Sequence, residues 1–369
     1  MAADAPPLNS TPFDLFITGD MATPAGVPVG DIGLDRLEAA PWIRWQFLAG
    51  QVPRPGDASY QDRLYEMQIT PEEIAAADGI VVCRPWLKAA TLAQGAPRLL
   101  AIGRAGIGYD KLDLPACTAA DVLVYNCPDA LTHPTASAAL LLILACSKRL
   151  PLQERIVREG RWDLQARALG DDLEGQTLGL IGFGNTAAEL VRLIAPFRMR
   201  VIACSPHADP AAAARAGVTL VPDAATVFRE SDYVSLHNRL TPATRGSIGA
   251  DLLALMKPTA FFINIARGEI VDEAALVRAL RERRIAGAGL DVFEHEPLPL
   301  TSPLHQLDNV LLTPHWLCST RQSGRATWTD ALDGMVRLSR GTIPDHVLNP
   351  AVVDRPGFQA KLRRFHGNH

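Results

Sequence analysis

The chain has no excess of charge of either sign. Its 36 Lys and Arg stand against 40 Asp and Glu, a formal net charge of −4 over 369 residues. That near balance excludes the broad positive field that gathers a protein onto nucleic acid or an anionic lipid surface. Paired cysteines are also missing. Cys83, Cys117, Cys127, Cys146, Cys204 and Cys318 form no C-x-x-C and no Cys/His spacing that holds zinc. No metal is therefore expected. Thiols so scattered make no disulfide framework and suit a reducing compartment, which predicts a cytoplasmic location. Met1 to Phe16 has neither a basic stretch nor an apolar one, and reads as lacking a secretory signal. The longest apolar run, Ala138 to Cys146, falls well short of the ~20 residues of a spanning helix, so no membrane partner is expected.

What is present is core-forming sequence. Hydrophobic residues make up 48% and charged residues 21%. At ~150 residues per domain the length predicts about two domains. The region up to Asp62 is rich in Pro, Gly and Ala and reads as turns and loop, with one short strand at Phe13 to Thr18. Thr70-Pro-Glu-Glu carries an N-cap, a proline at the first helical position and a capping-box Glu73. Strands are predicted at 79–83, 99–103 and 122–125, alternating with helix. A long helix over about 134–149 interrupts this rhythm. A second alternating set follows, with strands at 178–182, 200–204, 233–236, 260–264, 287–291 and 310–313. A helix over about 321–340 ends at Gly341. The stretch from Phe358 to His369 reads as a short basic tail. Such βα alternation predicts an α/β fold with doubly wound parallel sheets.

The sharpest local motif is Gly182-Phe183-Gly184-Asn185-Thr186-Ala187, which follows an apolar strand and opens a helix. In that frame G-x-G-x-x-[GA] is a dinucleotide turn. Gly182 permits the tight turn, Gly184 lets the backbone approach a pyrophosphate, and Ala187 stands where close helix–strand packing is needed. The next strand should end, about 20 positions on, in the carboxylate that binds the NAD 2′-hydroxyl. Ser205 stands there instead. A hydroxyl does not repel a 2′-phosphate, so NADP is the expected cofactor, with NAD the alternative. His207, Arg215 and Arg239 are the candidate basic partners. Three later segments, around Arg267, Glu296 and His315, each put a polar residue at or just past the end of an apolar strand, the edge where open α/β sheets bind ligands. Taken singly, each also reads as a solvated or packed side chain.

In combination these segments resemble a known family. The cofactor turn, Ile263-Asn-Ile-Ala-Arg-Gly-Glu-Ile-Val-Asp272, Leu290-Asp-Val-Phe-Glu-His-Glu-Pro297 and Thr313-Pro-His315 are similar to the motifs of the D-isomer-specific 2-hydroxyacid dehydrogenases. Gly106-Ile-Gly-Tyr-Asp110, Val124-Tyr-Asn-Cys-Pro128, Gly160-Arg-Trp162 and Ser235-Leu-His237 add to the likeness, which covers about 79–350.

The resemblance implies a Rossmann cofactor domain over 127–318, inserted into a flavodoxin-like substrate domain made of 1–126 and 319–369, with the active site in the cleft. It implies that Arg267 holds a substrate carboxylate and polarises a keto oxygen, that His315 is the acid/base, and that Glu296 pairs with it. It implies a carboxylate grip from the amides of Ile107 and Gly108, with Arg104 beside them. Phe183, Asn185, Thr186, Ser205 and Arg239 would line the cofactor, with Ile265, Ala266 and Asp291 near its nicotinamide end. Expected partners are a small 2-keto or 2-hydroxy acid of the glyoxylate or hydroxypyruvate type and a second copy of the chain, joined through the cofactor domain. The rival readings are a cofactor-sensing corepressor-like scaffold and a dehydrogenase of another small anion such as formate. The sequence departs from the family at Ser137, where a glutamate is usual, and at Arg239 and Trp316.

Overall fold

The computed structural model describes residues 11–365 apart from residue 58. Readings of the first ten residues and of 366–369 lie outside the described residues. Cα packing divides the chain into two units, 1–131 with 320–369, and 132–319. The crossings expected at 126/127 and 318/319 lie at 131/132 and 319/320. The first of these falls inside the helix Asp129–Ser147.

The first unit holds β1 (Phe13–Ile17), β2 (Ile43–Phe47), β3 (Gly79–Val82), β4 (Ala101–Arg104) and β5 (Leu123–Asn126), all parallel, in the order β2-β1-β3-β4-β5. That is the flavodoxin-like order. The second unit holds β6 (Thr177–Ile181), β7 (Arg200–Cys204), β8 (Val218–Leu220), β9 (Tyr233–Leu236), β10 (Phe261–Asn264), β11 (Gly287–Leu290) and β12 (Val310–Leu312), in the order β12-β11-β10-β9-β6-β7-β8. It is the Rossmann order with one strand added, and its switch point lies between β6 and β9. Strands β3, β5, β6, β9 and β10 are buried at every residue. Parallel strands covered on both faces have to be apolar throughout, so these runs were legible.

Three readings need correction. The loop expected up to Asp62 contains β2 and the short helices Asp35–Glu38 and Tyr60–Leu64. Strand β2 lies at the sheet edge and buries only Ile43 and Phe47, so its centre, Arg-Trp-Gln, reads as loop. The basic tail from Phe358 belongs to the helix Pro356–Arg363, which buries Phe358 and Leu362; Phe365 just beyond stacks edge-on against Phe13 at 5.0 Å. The helix Asp129–Ser147 is by length and composition long and apolar enough to cross a membrane, because no Lys, Arg, Asp or Glu follows Asp129 in it. The apolar-run count missed this. Its Ala136, Ala139, Leu142, Ile143 and Cys146 pack into the core beneath the second sheet.

Candidate active site

The turn after β6 is built for a ligand. Gly182 has φ +94°, and a Cβ there would lie 2.8 Å from the Asn238 nitrogen, so both conformation and space require glycine. Gly184 is the N-cap of the helix Asn185–Ile194, and a Cβ there would meet nothing within 4 Å. The backbone therefore opens onto free space at a helix N-terminus, where an anion is favoured by unpaired N–H groups and the helix dipole. Phe183 and Thr186 are half-buried and Asn185 is exposed. Ala187 is fully buried in the core below, so its methyl takes the packing role of the third glycine. Two buried polar atoms beside this turn, His237 Nδ1 and Asn238 Oδ1, have no hydrogen-bond partner among the described residues. Burial lowers the His237 pKa to about 4, so its ring stays neutral, sharing a 2.9 Å hydrogen bond with Ser235 Oγ. Open glycine and unsatisfied polar atoms at the switch point fit a dinucleotide.

Ser205 ends the loop side of β7, half-buried, in the place of the ribose carboxylate. Of the three cations considered for a 2′-phosphate, Arg215 pairs with Asp209 at 3.8 Å, while His207 and Arg239 are exposed. The Arg239 carbonyl accepts from Thr244 Oγ1 at 2.7 Å, which closes its own turn.

The loops after β10, β11 and β12 carry the candidate catalytic set. Asn264, the last residue of β10, is buried. Its Oδ1 accepts from the Ala266 N–H at 3.0 Å and its Nδ2 donates to the Arg267 carbonyl at 3.0 Å, which folds the Ile265–Arg267 turn. Arg267 donates to the Ala266 carbonyl at 2.7 Å. Gly268 then meets the next loop backbone to backbone; a Cβ there would lie 1.8 Å from the Phe293 carbonyl carbon. In that loop Glu296 Oε1 accepts from the Phe293 N–H at 3.1 Å. Its Oε2 accepts from His315 Nδ1 at 2.7 Å. His315 has φ +49°, a strained value for a residue with a side chain. With Nδ1 on the carboxylate, Nε2 is the nitrogen left for a substrate.

Asp291 maintains this strain. Its buried carboxylate accepts from Thr313 Oγ1 at 2.6 Å and from the N–H groups of Trp316 and Leu317 at 3.2 and 3.3 Å. Burial raises its pKa, opposed by these bonds and by His315. Asp291 thus braces the turn that presents His315, a task the sequence reading did not give it. That reading also missed Thr313, Asn264 and Gly268 as supports; the T-P-H and I-N-x-A-R-G motifs contain them, which was the available signal. Trp316 is about half exposed beside His315.

The first unit carries the other substrate candidates. Arg104, at the end of β4, donates to the carbonyls of Gly108 at 2.7 Å and of Ala105. Asn126 Nδ2 donates to the Ile107 carbonyl at 2.8 Å, and the Cys127 N–H to that of Gly106 at 3.2 Å. The carbonyls of the loop are tied down, and the N–H groups of Ile107 and Gly108 have no acceptor among the described residues. Arg104 is the staple of this loop. Among the described residues no group of three His, Cys, Asp or Glu is placed to hold a metal ion.

The chain is similar to known proteins in sequence and in fold. A family profile described as D-isomer specific 2-hydroxyacid dehydrogenase, NAD binding domain, matches residues 140–316. A glyoxylate reductase of Korarchaeum cryptofilum is 38% identical over 271 residues, covering 72% of this chain and 81% of that protein. A D-3-phosphoglycerate dehydrogenase of Methanocaldococcus jannaschii is 38% identical over 278 residues, covering 75% of this chain and 53% of its own length, so the chain spans about half of that protein. Among solved structures, the TT0316 protein of Thermus thermophilus superposes with a TM-score of 0.76 at 29% identity, over 91% of this chain and 99% of that one.

Proposed function

The chain belongs to the D-isomer specific 2-hydroxyacid dehydrogenase family, and from that premise we propose that it reduces a small 2-keto acid to the D-2-hydroxy acid. One observation carries the reading: the 2.7 Å bond from His315 Nδ1 to Glu296, which fixes the ring and leaves Nε2 to the substrate. Reduction of a ketone builds negative charge on oxygen, so a cation and a proton donor must both face it. In this reading the Arg267 fork holds the substrate carboxylate and polarises the carbonyl. His315 Nε2–H gives its proton to the forming alkoxide. A bound nicotinamide supplies the hydride; Phe183, Gly184, Asn185 and Thr186 would cradle its pyrophosphate, with Ile265 and Ala266 toward the ring.

The profile match supports an NAD-binding domain. The finer reading is that NADPH is accepted and preferred, because Ser205 replaces the carboxylate that would repel its 2′-phosphate. The glyoxylate reductase relative supports a short keto acid. A protein that only senses cofactor has no use for a paired histidine, and formate oxidation needs no proton acceptor. No disulfide joins the six cysteines, and the cytoplasmic location is part of this proposal.

The test is a panel of 2-keto acids assayed with NADH and NADPH in parallel. Glyoxylate or hydroxypyruvate should turn over, with the higher kcat/KM for NADPH. His315→Gln should lower kcat by a factor of ~100 or more, the usual scale of general acid catalysis, with cofactor affinity within about threefold. Near-normal turnover by that variant would reject the assignment, and a large NADH advantage would reject the cofactor reading.

A further inference from the structure

The two polar atoms without a partner beside the glycine-rich turn belong to consecutive residues, His237 Nδ1 and Asn238 Oδ1. Their surroundings differ. The His237 ring is held back along its own strand by the Ser235 hydroxyl at 2.9 Å. The His237 N–H still donates to the Ile181 carbonyl of β6, at 2.8 Å. Asn238 is the first residue beyond that bond. It lies against the first glycine of the turn: a Cβ on Gly182 would stand 2.8 Å from the Asn238 nitrogen and 3.0 Å from its Cα. An amide oxygen buried here without a donor is a net cost to the free protein. The last side-chain torsion of asparagine has a broad minimum, so the oxygen can turn toward a donor that arrives.

The strand order says which part of a dinucleotide passes this point. Strand β9 lies between β6 and β10. The turn after β6 ends in the helix N-terminus that suits the pyrophosphate. The turn after β10, with Ile265 and Ala266, is the one assigned to the nicotinamide. In the cofactor a ribose joins these two groups. Along that span the phosphate oxygens only accept hydrogen bonds, whereas the ribose hydroxyls donate them. An unsatisfied acceptor between the two turns therefore suits the hydroxyls.

We propose that Asn238 Oδ1 accepts a hydrogen bond from a hydroxyl of the nicotinamide ribose. This rests on the dinucleotide reading of the second unit and adds a residue to it. A bond to that ribose limits the movement of the ring it carries, so Asn238 positions the hydride donor. A leucine is close to asparagine in size and would leave no acceptor unsatisfied, so the ligand explains the amide and the fold does not.

The experiment measures Kd by calorimetry for ADP-ribose, which keeps that ribose, and for ADP, which ends at the pyrophosphate. Each is used with and without a 2′-phosphate on its adenosine, and the series that the wild type binds more tightly is carried forward. The wild type should bind ADP-ribose about tenfold or more tighter than ADP. In Asn238→Leu that ratio should fall about three- to tenfold, the scale of one neutral hydrogen bond, with the affinity for ADP unchanged. Asn238→Asp keeps the acceptor. Its added charge should weaken both ligands and preserve the wild-type ratio. Ligand-free Asn238→Leu should melt at or above the wild-type temperature. Equal affinity of the wild type for the two ligands, or an unchanged ratio in Asn238→Leu, overturns the inference and leaves the dinucleotide reading intact. Equal weakening of both ligands in Asn238→Leu puts the amide on the pyrophosphate and overturns it as well. So does an Asn238→Leu protein that melts far below the wild type or does not fold, since the amide then serves the fold. Failure of the wild type to bind either ligand in either form overturns both readings.

Discussion

At the scale of single residues the candidate catalytic pair and its supports differ in how far the sequence shows them. Glu296 and His315 sit in motifs that resemble those of the family, so the resemblance implies acid/base chemistry before any geometry is known. The brace beneath them is different. Asp291, Thr313 and the Trp316 N–H come together because β11 and β12 are adjacent, and sequence spacing does not encode which of 22 or 25 residues of separation closes a hydrogen bond. His237 gives a prediction at this scale. Burial lowers its pKa from 6.5 to about 4. Between those values the unfolded chain binds a proton that the native chain refuses, so stability falls as pH drops from 6.5 toward 4. The full interval is worth about 3 kcal/mol. His237→Gln should remove that slope. Urea midpoints at pH 7 and pH 4.5 check it, and an equally steep loss in the variant would contradict the burial argument.

At the scale of elements the strands that carry the site were legible because burial on both faces forces continuous apolar runs. Strand β2 and the helix Pro356–Arg363 were not. One is an edge strand with a polar centre, and the other is an eight-residue helix that buries its apolar residues through spacing rather than content. The loops after β10 and β11 show what the strands are for. They hold Arg267 and Glu296 at a fixed separation only because Gly268 lets two backbones touch. In Gly268→Ala the new methyl overlaps the Phe293 carbonyl and must drive the loops apart. We expect a loss of about 1–3 kcal/mol, the cost of an overpacked contact. With it should go a fall in kcat/KM of ~100-fold, since a 1 Å displacement has that effect on aligned groups. Thermal melting and steady-state kinetics measure the two separately; a variant with wild-type kinetics would show that the loops are not coupled through this contact.

At the scale of the whole molecule the number of domains followed from length, while their interleaving was implied only by the family resemblance. The second unit also leaves large apolar side chains exposed in one stretch of chain: Leu141, Leu150, Val157, Trp162 and Leu169, from 49% to 75% accessible. We propose that this stretch is where the expected second copy of the chain docks through the cofactor unit. Light scattering should give about twice the mass of one 39.8 kDa chain. Trp162→Glu should shift the population toward monomer at micromolar concentration. A wild type that is monomeric at that concentration would refute the dimer.

The interleaving of the units also sets a timetable. The second unit is one unbroken stretch of chain, complete once residue 319 has been made. The first unit is begun earlier and finished later. Its sheet waits for the helix Arg321–Leu338, whose Met335 packs against the sheet at Gly79 and Gly103 and whose Ala331 carbonyl accepts from the Tyr125 hydroxyl. At about 5–20 residues per second, a ribosome needs roughly 10–40 s to cross the inserted unit. Through that interval the first five strands lack the helix that covers them at Gly79 and Gly103. The portion of the chain born first is therefore the last to be covered.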